Sequence, residues 1–197
     1  MSRRKKGKRT PSGPNAPSLE GQGCPICAAP GGRSLPGGNG VFFRCRRCGI
    51  IYNAGYRPLD YGENYFLDDY RDQYGKTYAE DRDAIRRFAE VRLVRIFSLY
   101  GKGARREKLS LLDLGSALGF FMESARDAGI GRVCGVELSR YASEWCRRES
   151  GLRVVNSAFE DTAFDETFDI ITAWYFLEHC AHPRETIQRI YALLNPG

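Results

Sequence analysis

The chain has 197 residues, of which 42% are hydrophobic, and this is enough to bury a core and excludes wholesale disorder. Its formal net charge is +6, from 30 Lys and Arg against 24 Asp and Glu. All six excess positive charges lie in the first ten residues, so the remainder sums to 24 minus 24, or zero. The charge therefore indicates a basic tail and not a basic binding face.

The sequence shows no segment for export or for membrane insertion. No apolar run approaches the ~20 residues that a helix needs to cross a bilayer. The basic start is followed by residues 10–14 (TPSGP), whereas a signal peptide would continue with an apolar segment. We therefore expect a cytoplasmic protein with no membrane partner, in which cysteines bind metal or remain thiols.

Residues 1–22 are rich in Lys, Arg, Pro, Ser and Gly and contain almost nothing that a core could use. This composition predicts a disordered basic tail. Such a tail keeps a protein soluble or attracts anions weakly, and we favour that role over specific nucleic-acid binding.

Residues 23–52 form a compact cysteine module. Two CxxC pairs, CPIC and CRRC, are separated by 17 residues, and residues 41–43 between them suit a strand. Each CxxC turn presents two thiolates, and two turns complete a tetrahedral four-thiolate zinc site with no open position. We therefore predict a structural zinc ribbon, against the alternative of four unrelated thiols. The predicted ligands are Cys24, Cys27, Cys45 and Cys48.

Residues 53–80 are predicted to connect this ribbon to the rest of the chain. The segment is unusually aromatic, and seven of its residues are Tyr or Phe: Tyr56, Tyr61, Tyr65, Phe66, Tyr70, Tyr74 and Tyr78. Two interpretations stay open at this point. The aromatic side chains either fold over a ligand as a lid or pack the connector against the following domain.

From residue 81 to 197 helices and strands alternate. A helical face is predicted at Ile85, Phe88, Ala89, Leu93, Ile96 and Tyr100, and Gly101 is placed to end that helix. Strands follow at 109–114, 133–137, 152–155 and 168–173, with helices up to 129, at 139–149 and at 183–194. This alternation predicts an α/β fold with a parallel, doubly wound sheet.

The first of these strands ends in a glycine-rich turn, residues 113–119 (DLGSALG), and the second ends at Glu137. Small residues in such a turn let a ligand approach backbone N–H groups, and the later carboxylate can accept hydrogen bonds from both ribose hydroxyls. The dinucleotide pattern GxGxxG would place its third glycine at Phe120, which is too large. The pattern therefore favours a nucleoside cofactor without a pyrophosphate.

On these residues the chain resembles the class I S-adenosylmethionine-dependent methyltransferases. Residues 113–119 are similar to their motif DxGxGxG, with Ala117 at the middle glycine, where alanine fits if its φ is negative. Residues 168–179 (FDIITAWYFLEH) and 193–197 (LLNPG) resemble two later motifs. The ribbon and connector are similar, more loosely, to a subgroup that includes bacterial sugar C-methyltransferases.

The resemblance implies a Rossmann-like fold, S-adenosylmethionine as cofactor and a set of contact residues. Glu137 is implied to hold the ribose, and Asp113 to shape the loop and its amino-group site. The other implied cofactor residues are Gly115, Ser116, Ala117 and Gly119 near the methionine portion, Leu138, Ala158 and Phe159 near the adenine, and Ala173 and Trp174 near the sulfonium.

The resemblance implies methyl transfer, and the sequence favours a small-molecule acceptor such as a sugar or natural-product precursor. His179 is the candidate general base, although we favour a role in positioning its segment. The alternatives are an RNA methyltransferase and a non-catalytic ribbon module that contacts RNA or protein. A family sheet has seven strands and this chain supplies four, so we expect a fragment or a sheet completed by another chain.

Overall fold

The structure is a computed structural model that describes residues 23–36, 41–55, 62–100 and 105–196. The predicted tail, residues 1–22, and Gly101 lie outside these described residues. The chain divides into two compact units, Met1–Tyr56 and Arg57–Gly197. Among the described residues, no helix has both the length and the apolar character needed to cross a lipid bilayer.

The first unit contains a three-stranded antiparallel sheet. Its strands are β1 (Gly32–Ser34), β2 (Phe42–Cys45) and β3 (Ile51–Asn53), in the order β1-β2-β3. Its buried hydrophobic residues are Cys24, Cys45, Tyr52 and Ala54. Two cysteines therefore make up half of a very small core.

The second unit is built on four parallel strands, as the alternation predicts. They are β4 (Ser110–Leu114), β5 (Arg132–Glu137), β6 (Arg153–Asn156) and β7 (Ile170–Thr172), in the order β6-β5-β4-β7. Since β4 lies in the middle and all five of its residues are buried, both of its faces are covered.

Helices cover the two faces of this sheet. The unit contains α1 (Tyr70–Tyr74), α2 (Arg82–Tyr100), α3 (Phe120–Asp127), α4 (Arg140–Ser150) and α5 (Pro183–Leu193). Helices α2 and α3 pack with Leu111 and Ile170 on one face. Leu112 and Leu114 point to the opposite face and pack with residues that include Ile190 of α5. The expected Rossmann-like α/β fold is confirmed.

The predicted apolar face of α2 is wrong at two residues. Ala89 and Leu93 are buried, but Phe88 is 67% exposed and Tyr100, at the end of the helix, is 37% exposed. Successive helical residues are separated by about 100°, so Phe88 lies outside the stripe that Ala89 and Leu93 define.

A buried carboxylate fixes α2 to α3. Glu123 accepts hydrogen bonds from Arg82 Nη2 at 2.8 Å and from Arg86 Nη1 at 2.9 Å, and Ser150 at the end of α4 also donates to it. Burial raises the pKa of Glu123, but the Ser150 hydroxyl and the two guanidinium groups lower it by more than burial raises it. The net shift of the pKa is therefore downward. The network holds three helices in register.

The Asp of the FDII segment joins β7 to β4. Asp169 accepts hydrogen bonds from the Ser110 backbone N–H at 2.8 Å and from its hydroxyl at 2.7 Å. The Asn195 amide also donates to Asp169, at 2.8 Å, and Phe168 forms a parallel bridge with Leu194. The predicted strand starts at residue 168, where these hydrogen bonds are made, whereas β7 itself begins at Ile170.

Candidate functional site

The glycine-rich turn connects β4 to α3 and requires glycine at two positions. Gly115 has a φ of +68° and Gly119 a φ of +81°. A Cβ on Gly115 would lie 2.9 Å from the Phe176 ring, and one on Gly119 would lie 2.9 Å from Cys146 Sγ. Both the backbone conformation and the close approach therefore exclude larger residues here.

Ala117 has a φ of +48°, so the condition of a negative φ, under which alanine would fit at this position, is not met. Its left-handed backbone is held from both sides, because its N–H donates to Glu137 Oε2 at 2.8 Å and its carbonyl accepts from Cys146 Sγ at 3.2 Å. For alanine this conformation costs about 1–2 kcal/mol, and the surrounding hydrogen bonds offset that cost.

Glu137 lies at the carboxyl end of β5 and is 6% exposed. Its Oε2 accepts from Ala117 N–H and its Oε1 accepts from Ser139 N–H, each at 2.8 Å. Burial raises the pKa of Glu137, while the Ser139 and Ala117 N–H groups oppose that rise. A carboxylate oxygen has two lone pairs, so each oxygen keeps one for a further donor.

Asp113 lies in β4 beside the turn and is 2% exposed. Thr172 of β7 donates a hydrogen bond to Asp113 Oδ1 at 2.7 Å. Burial, together with the nearby Glu137 carboxylate, raises the pKa of Asp113 to about 7, although the Thr172 hydroxyl and the Arg92 charge lower it. The hydrogen bond therefore ties Asp113, at the start of the turn, to β7.

The carboxyl end of β7 carries the residues expected near the sulfonium, Ala173 and Trp174. The Trp174 ring packs edge-on against Phe121 at 5.5 Å, and the Arg92 guanidinium lies 4.2 Å from its centroid. Tyr175 follows with a φ of +52°. Arg92 lies 82 residues before Trp174 in the sequence, and no local pattern connects them, so sequence reasoning missed it.

The residues expected near an adenine divide into two groups. Leu138 directly follows Glu137 and is 61% exposed, so its side chain is available to a ligand. Phe159 is 2% exposed and packs against Phe164 and Phe176 in the core. Ala158, partly exposed, precedes it. The side chain of Phe159 is therefore part of the core and is closed to a ligand.

The two histidines lie after β7. His179 ends a 3-10 turn, Leu177–His179, with its N–H donated to the Phe176 carbonyl at 3.0 Å, and it is partly buried. His182 is exposed and lies at the N-cap position of α5, where its side chain forms no capping hydrogen bond.

The aromatic connector packs close to the glycine-rich turn. The Tyr78 ring stacks on Phe120 at 5.8 Å, and the Phe66 ring lies 5.9 Å from Tyr141 of α4. Burial raises the pKa of Tyr78, and charges on Asp113 and Glu137 add to the effect. Of the two interpretations of this segment, the structure shows the packed one, and the role of a lid stays a prediction.

The four predicted metal ligands come together in the first unit. The Sγ atoms of Cys24, Cys27, Cys45 and Cys48 all lie within 4.8 Å of one another. Cys24 Sγ is 3.6 Å from Cys48 Sγ, and Cys27 Sγ is 3.5 Å from Cys45 Sγ. A tetrahedron with Zn–S bonds of ~2.3 Å has edges of about 3.8 Å, so the spacing suits a zinc ion better than a disulfide.

Hydrogen bonds to sulfur add to this fit. Cys45 Sγ accepts from the N–H of Arg47 at 3.3 Å and of Cys48 at 3.5 Å. The Cys48 N–H lowers the pKa of the Cys45 thiol to about 6 despite the opposing effect of burial. Ala28, which follows the first CxxC pair, has a φ of +55°. The cluster therefore has the donor set of a closed metal site.

The fold and the turn define a class of protein: a Rossmann-like domain with a glycine-rich turn and two buried carboxylates at the carboxyl ends of β4 and β5. A sequence profile of the family described as "Methyltransferase domain" matches residues 78–197. The chain therefore belongs to the methyltransferase domain family. No protein among the curated ones matches it.

One solved structure supports the same fold. The chain is similar to the plantazolicin methyltransferase BpumL in complex with a monoazolic desmethylPZN analog and SAH, with 13% identity, 68% of this chain and 49% of that chain covered, and a TM-score of 0.52. It is also similar to SAM-bound CalS10, an amino pentose methyltransferase from Micromonospora echinaspora, with 20% identity, 72% and 56% covered, and a TM-score of 0.43. The chain thus spans about half the length of the structures it matches.

Proposed function

We propose that this chain binds S-adenosylmethionine and belongs to an enzyme that transfers its methyl group to a small molecule, such as a sugar or natural-product precursor. The observation that carries the proposal is the position of the Glu137 carboxylate, which lies against the glycine-rich turn of a methyltransferase-family domain.

The proposal assigns the ribose to Glu137. Each of its oxygens accepts one backbone N–H and keeps a lone pair, so the two oxygens together match two vicinal hydroxyls. The exposed Leu138 side chain, with Ala158 and the Phe159 backbone, is proposed to lie beside the adenine.

The turn is proposed to hold the methionine portion. Gly115 and Gly119 allow the left-handed backbone of this turn, and an added Cβ at either position would meet Phe176 or Cys146, so only glycine keeps the turn in this conformation. Among the described residues the buried Ser116 Oγ has no hydrogen-bond partner, as expected for a group that a ligand satisfies. Asp113 is proposed to orient this turn, and Ala173 and Trp174 to lie near the sulfonium.

When bound, S-adenosylmethionine supplies an electrophilic methyl group, so the protein's main task is to position the acceptor in line with it. In the proposal, the ends of β4 and β7 fix that geometry. His179 lies in the segment after β7, where it either removes a proton from the acceptor or positions the segment.

We also propose that Cys24, Cys27, Cys45 and Cys48 bind one structural Zn²⁺. The Sγ separations of 3.5 and 3.6 Å and the N–H donors to Cys45 support it. Four thiolates leave no open position, so the ion would stabilise the ribbon and take no part in methyl transfer. Thiolate ligation needs reduced cysteines, which supports a cytoplasmic location.

Calorimetric titration of the full chain with S-adenosylhomocysteine tests the cofactor proposal. We expect one site per chain. Glu137→Gln should lower the affinity for S-adenosylhomocysteine by about tenfold or more, because charge-assisted hydrogen bonds are lost. The matched control is Glu149→Gln, an exposed residue of α4, which should bind like the wild type.

The titration also separates the proposed function from its alternatives. Absence of saturable binding by the folded wild type, or equal affinity for Glu137→Gln, contradicts the cofactor site. Steeply salt-dependent RNA binding without affinity for S-adenosylhomocysteine would indicate the ribbon-module alternative instead. Thermal unfolding of each variant checks that the loss of binding is not a loss of fold.

A further inference from the structure

The arginines of α2 lie in two different settings. Arg82 and Arg86 both pair with the buried Glu123, at 2.8 and 2.9 Å. Arg92 lies further along the helix and takes part in none of the ion pairs among the described residues. Its guanidinium is therefore charged, partly buried and without an acidic partner within ion-pair distance in that part of the chain.

Two aromatic rings hold Arg92 in place. Its Cζ lies 4.2 Å from the Trp174 ring centroid and 5.5 Å from that of Tyr175. Stacking on rings fixes the guanidinium plane and leaves the N–H groups at its edge free to donate. The side chain is thus ordered in advance of any anion.

A second donor lies on the same ring. Trp174 Nε1 is buried and has no hydrogen-bond partner among the described residues. A buried N–H without a partner destabilises a fold, so its presence here points to a ligand that accepts from it.

The backbone at this point is also strained. Tyr175 has a φ of +52° and its side chain is 76% exposed, although tyrosine has no preference for this conformation. Strain of this kind concentrates at sites where side-chain placement matters. Here it places the Tyr175 ring within reach of Arg92.

We propose that Arg92 and the Trp174 indole N–H form a carboxylate-binding subsite at the carboxyl end of β7. A guanidinium edge and one adjacent N–H match the two oxygens of a carboxylate. The source of the carboxylate rests on the proposed function: it is either the methionine portion of the cofactor or the acceptor.

The charge balance favours an anion here. The proposed function brings a sulfonium cation to the same strand end, next to the Arg92 charge. The Arg92 charge lowers the pKa of Asp113, but the two side chains form no ion pair. A ligand carboxylate would offset the repulsion between the two cations.

The first experiment measures affinity of the full chain for S-adenosylhomocysteine and for its decarboxylated analogue, which keeps the amine. If the cofactor supplies the carboxylate, Arg92→Met weakens S-adenosylhomocysteine binding about tenfold to a hundredfold and leaves the analogue unchanged. Trp174→Phe keeps the ring but removes the N–H, and should give a smaller loss of the same kind. Arg95→Met, an exposed arginine of the same helix, is the matched control.

The second experiment addresses the acceptor. If the acceptor supplies the carboxylate, Arg92→Met binds S-adenosylhomocysteine as the wild type does. Ligand-observed NMR should then show that the wild type binds benzoate and that Arg92→Met does not. Benzamide, which is neutral, should bind to neither protein. The subsite is contradicted if Arg92→Met alters neither S-adenosylhomocysteine nor benzoate binding. If the wild type does not bind S-adenosylhomocysteine, the proposed function fails. A comparison of benzoate and benzamide binding to the free protein then still tests the subsite.

Discussion

The ribbon and the α/β domain differ in what holds each of them together. In the ribbon the buried hydrophobic residues are two cysteines, Tyr52 and Ala54, whereas in the domain every residue of β4 is buried between two layers of helices. A module of about thirty residues rarely buries enough apolar surface to fold alone, so metal ligation is its natural substitute. The domain instead combines apolar packing with a few buried carboxylates.

The largest expected effect separates the two regions by their metal dependence. Cys45→Ser removes one thiolate ligand, and zinc ligation contributes an apparent ~10–16 kcal/mol in small zinc modules. We expect native mass spectrometry to show one Zn²⁺ on the wild type and none on the variant, with amide exchange becoming fast in residues 23–55 and unchanged in the domain. Cys180→Ser, a thiol outside the ribbon, is the control and should keep its zinc. A protected ribbon without metal would contradict the comparison.

Within the domain, the next effect comes from the buried carboxylate of Glu123. Glu123→Ala leaves Arg82 without an acidic partner and Arg86 with only the half-exposed Asp127, and should destabilise the domain by about 3 kcal/mol, at the lower end for a buried pair because Arg82 is half exposed. Chemical denaturation measures it. Asp68→Ala, which breaks an exposed pair with Arg71, should leave the unfolding midpoint unchanged. Equal effects from both variants would contradict the role given to burial.

Asp113 should make the stability of the domain depend on pH. Burial raises its pKa to about 7 from an ordinary value of 3.8, so the unfolded chain releases this proton more readily than the folded one. The free energy of unfolding should therefore fall as pH rises from about 4 to about 7, by up to about 4 kcal/mol. Asp113→Asn should flatten this fall and still accept the Thr172 hydrogen bond. Asp165→Asn, an exposed control, should leave the profile unchanged.

The smallest effect concerns the turn itself. Ala117→Gly relieves a left-handed alanine and should raise the free energy of unfolding by about 0.5–1 kcal/mol. Ala142→Gly, in helix α4, should lower it by more than this, because glycine is unfavourable in a helix and the methyl group that is lost is fully buried. A loss of stability in Ala117→Gly would mean that the turn does not hold this residue at positive φ.

Some of the fold was readable from local patterns. The order of helices and strands after residue 81, the glycine turn and the cysteine spacing each depend on residues close together in the chain, which is why they were predicted. Phe88 shows the limit, since its place on α2 depends on which stripe of the helix meets Leu111 and Ile170. The contacts of Thr172 with Asp113 and of Arg92 with Trp174 join residues that are far apart in the sequence, so no local pattern predicts them.

By itself, the sequence determined the four-cysteine cluster of the ribbon, the parallel α/β class and the acidic residue at the end of β5, because periodicity and spacing encode them. Tertiary structure decided the rest. It placed Ala117 at positive φ because Glu137 and Cys146 hold its backbone, and it buried Asp113 enough to raise its pKa to about 7. It also set Arg92 over Trp174, because stacking between distant segments depends on packing and leaves no trace in local sequence.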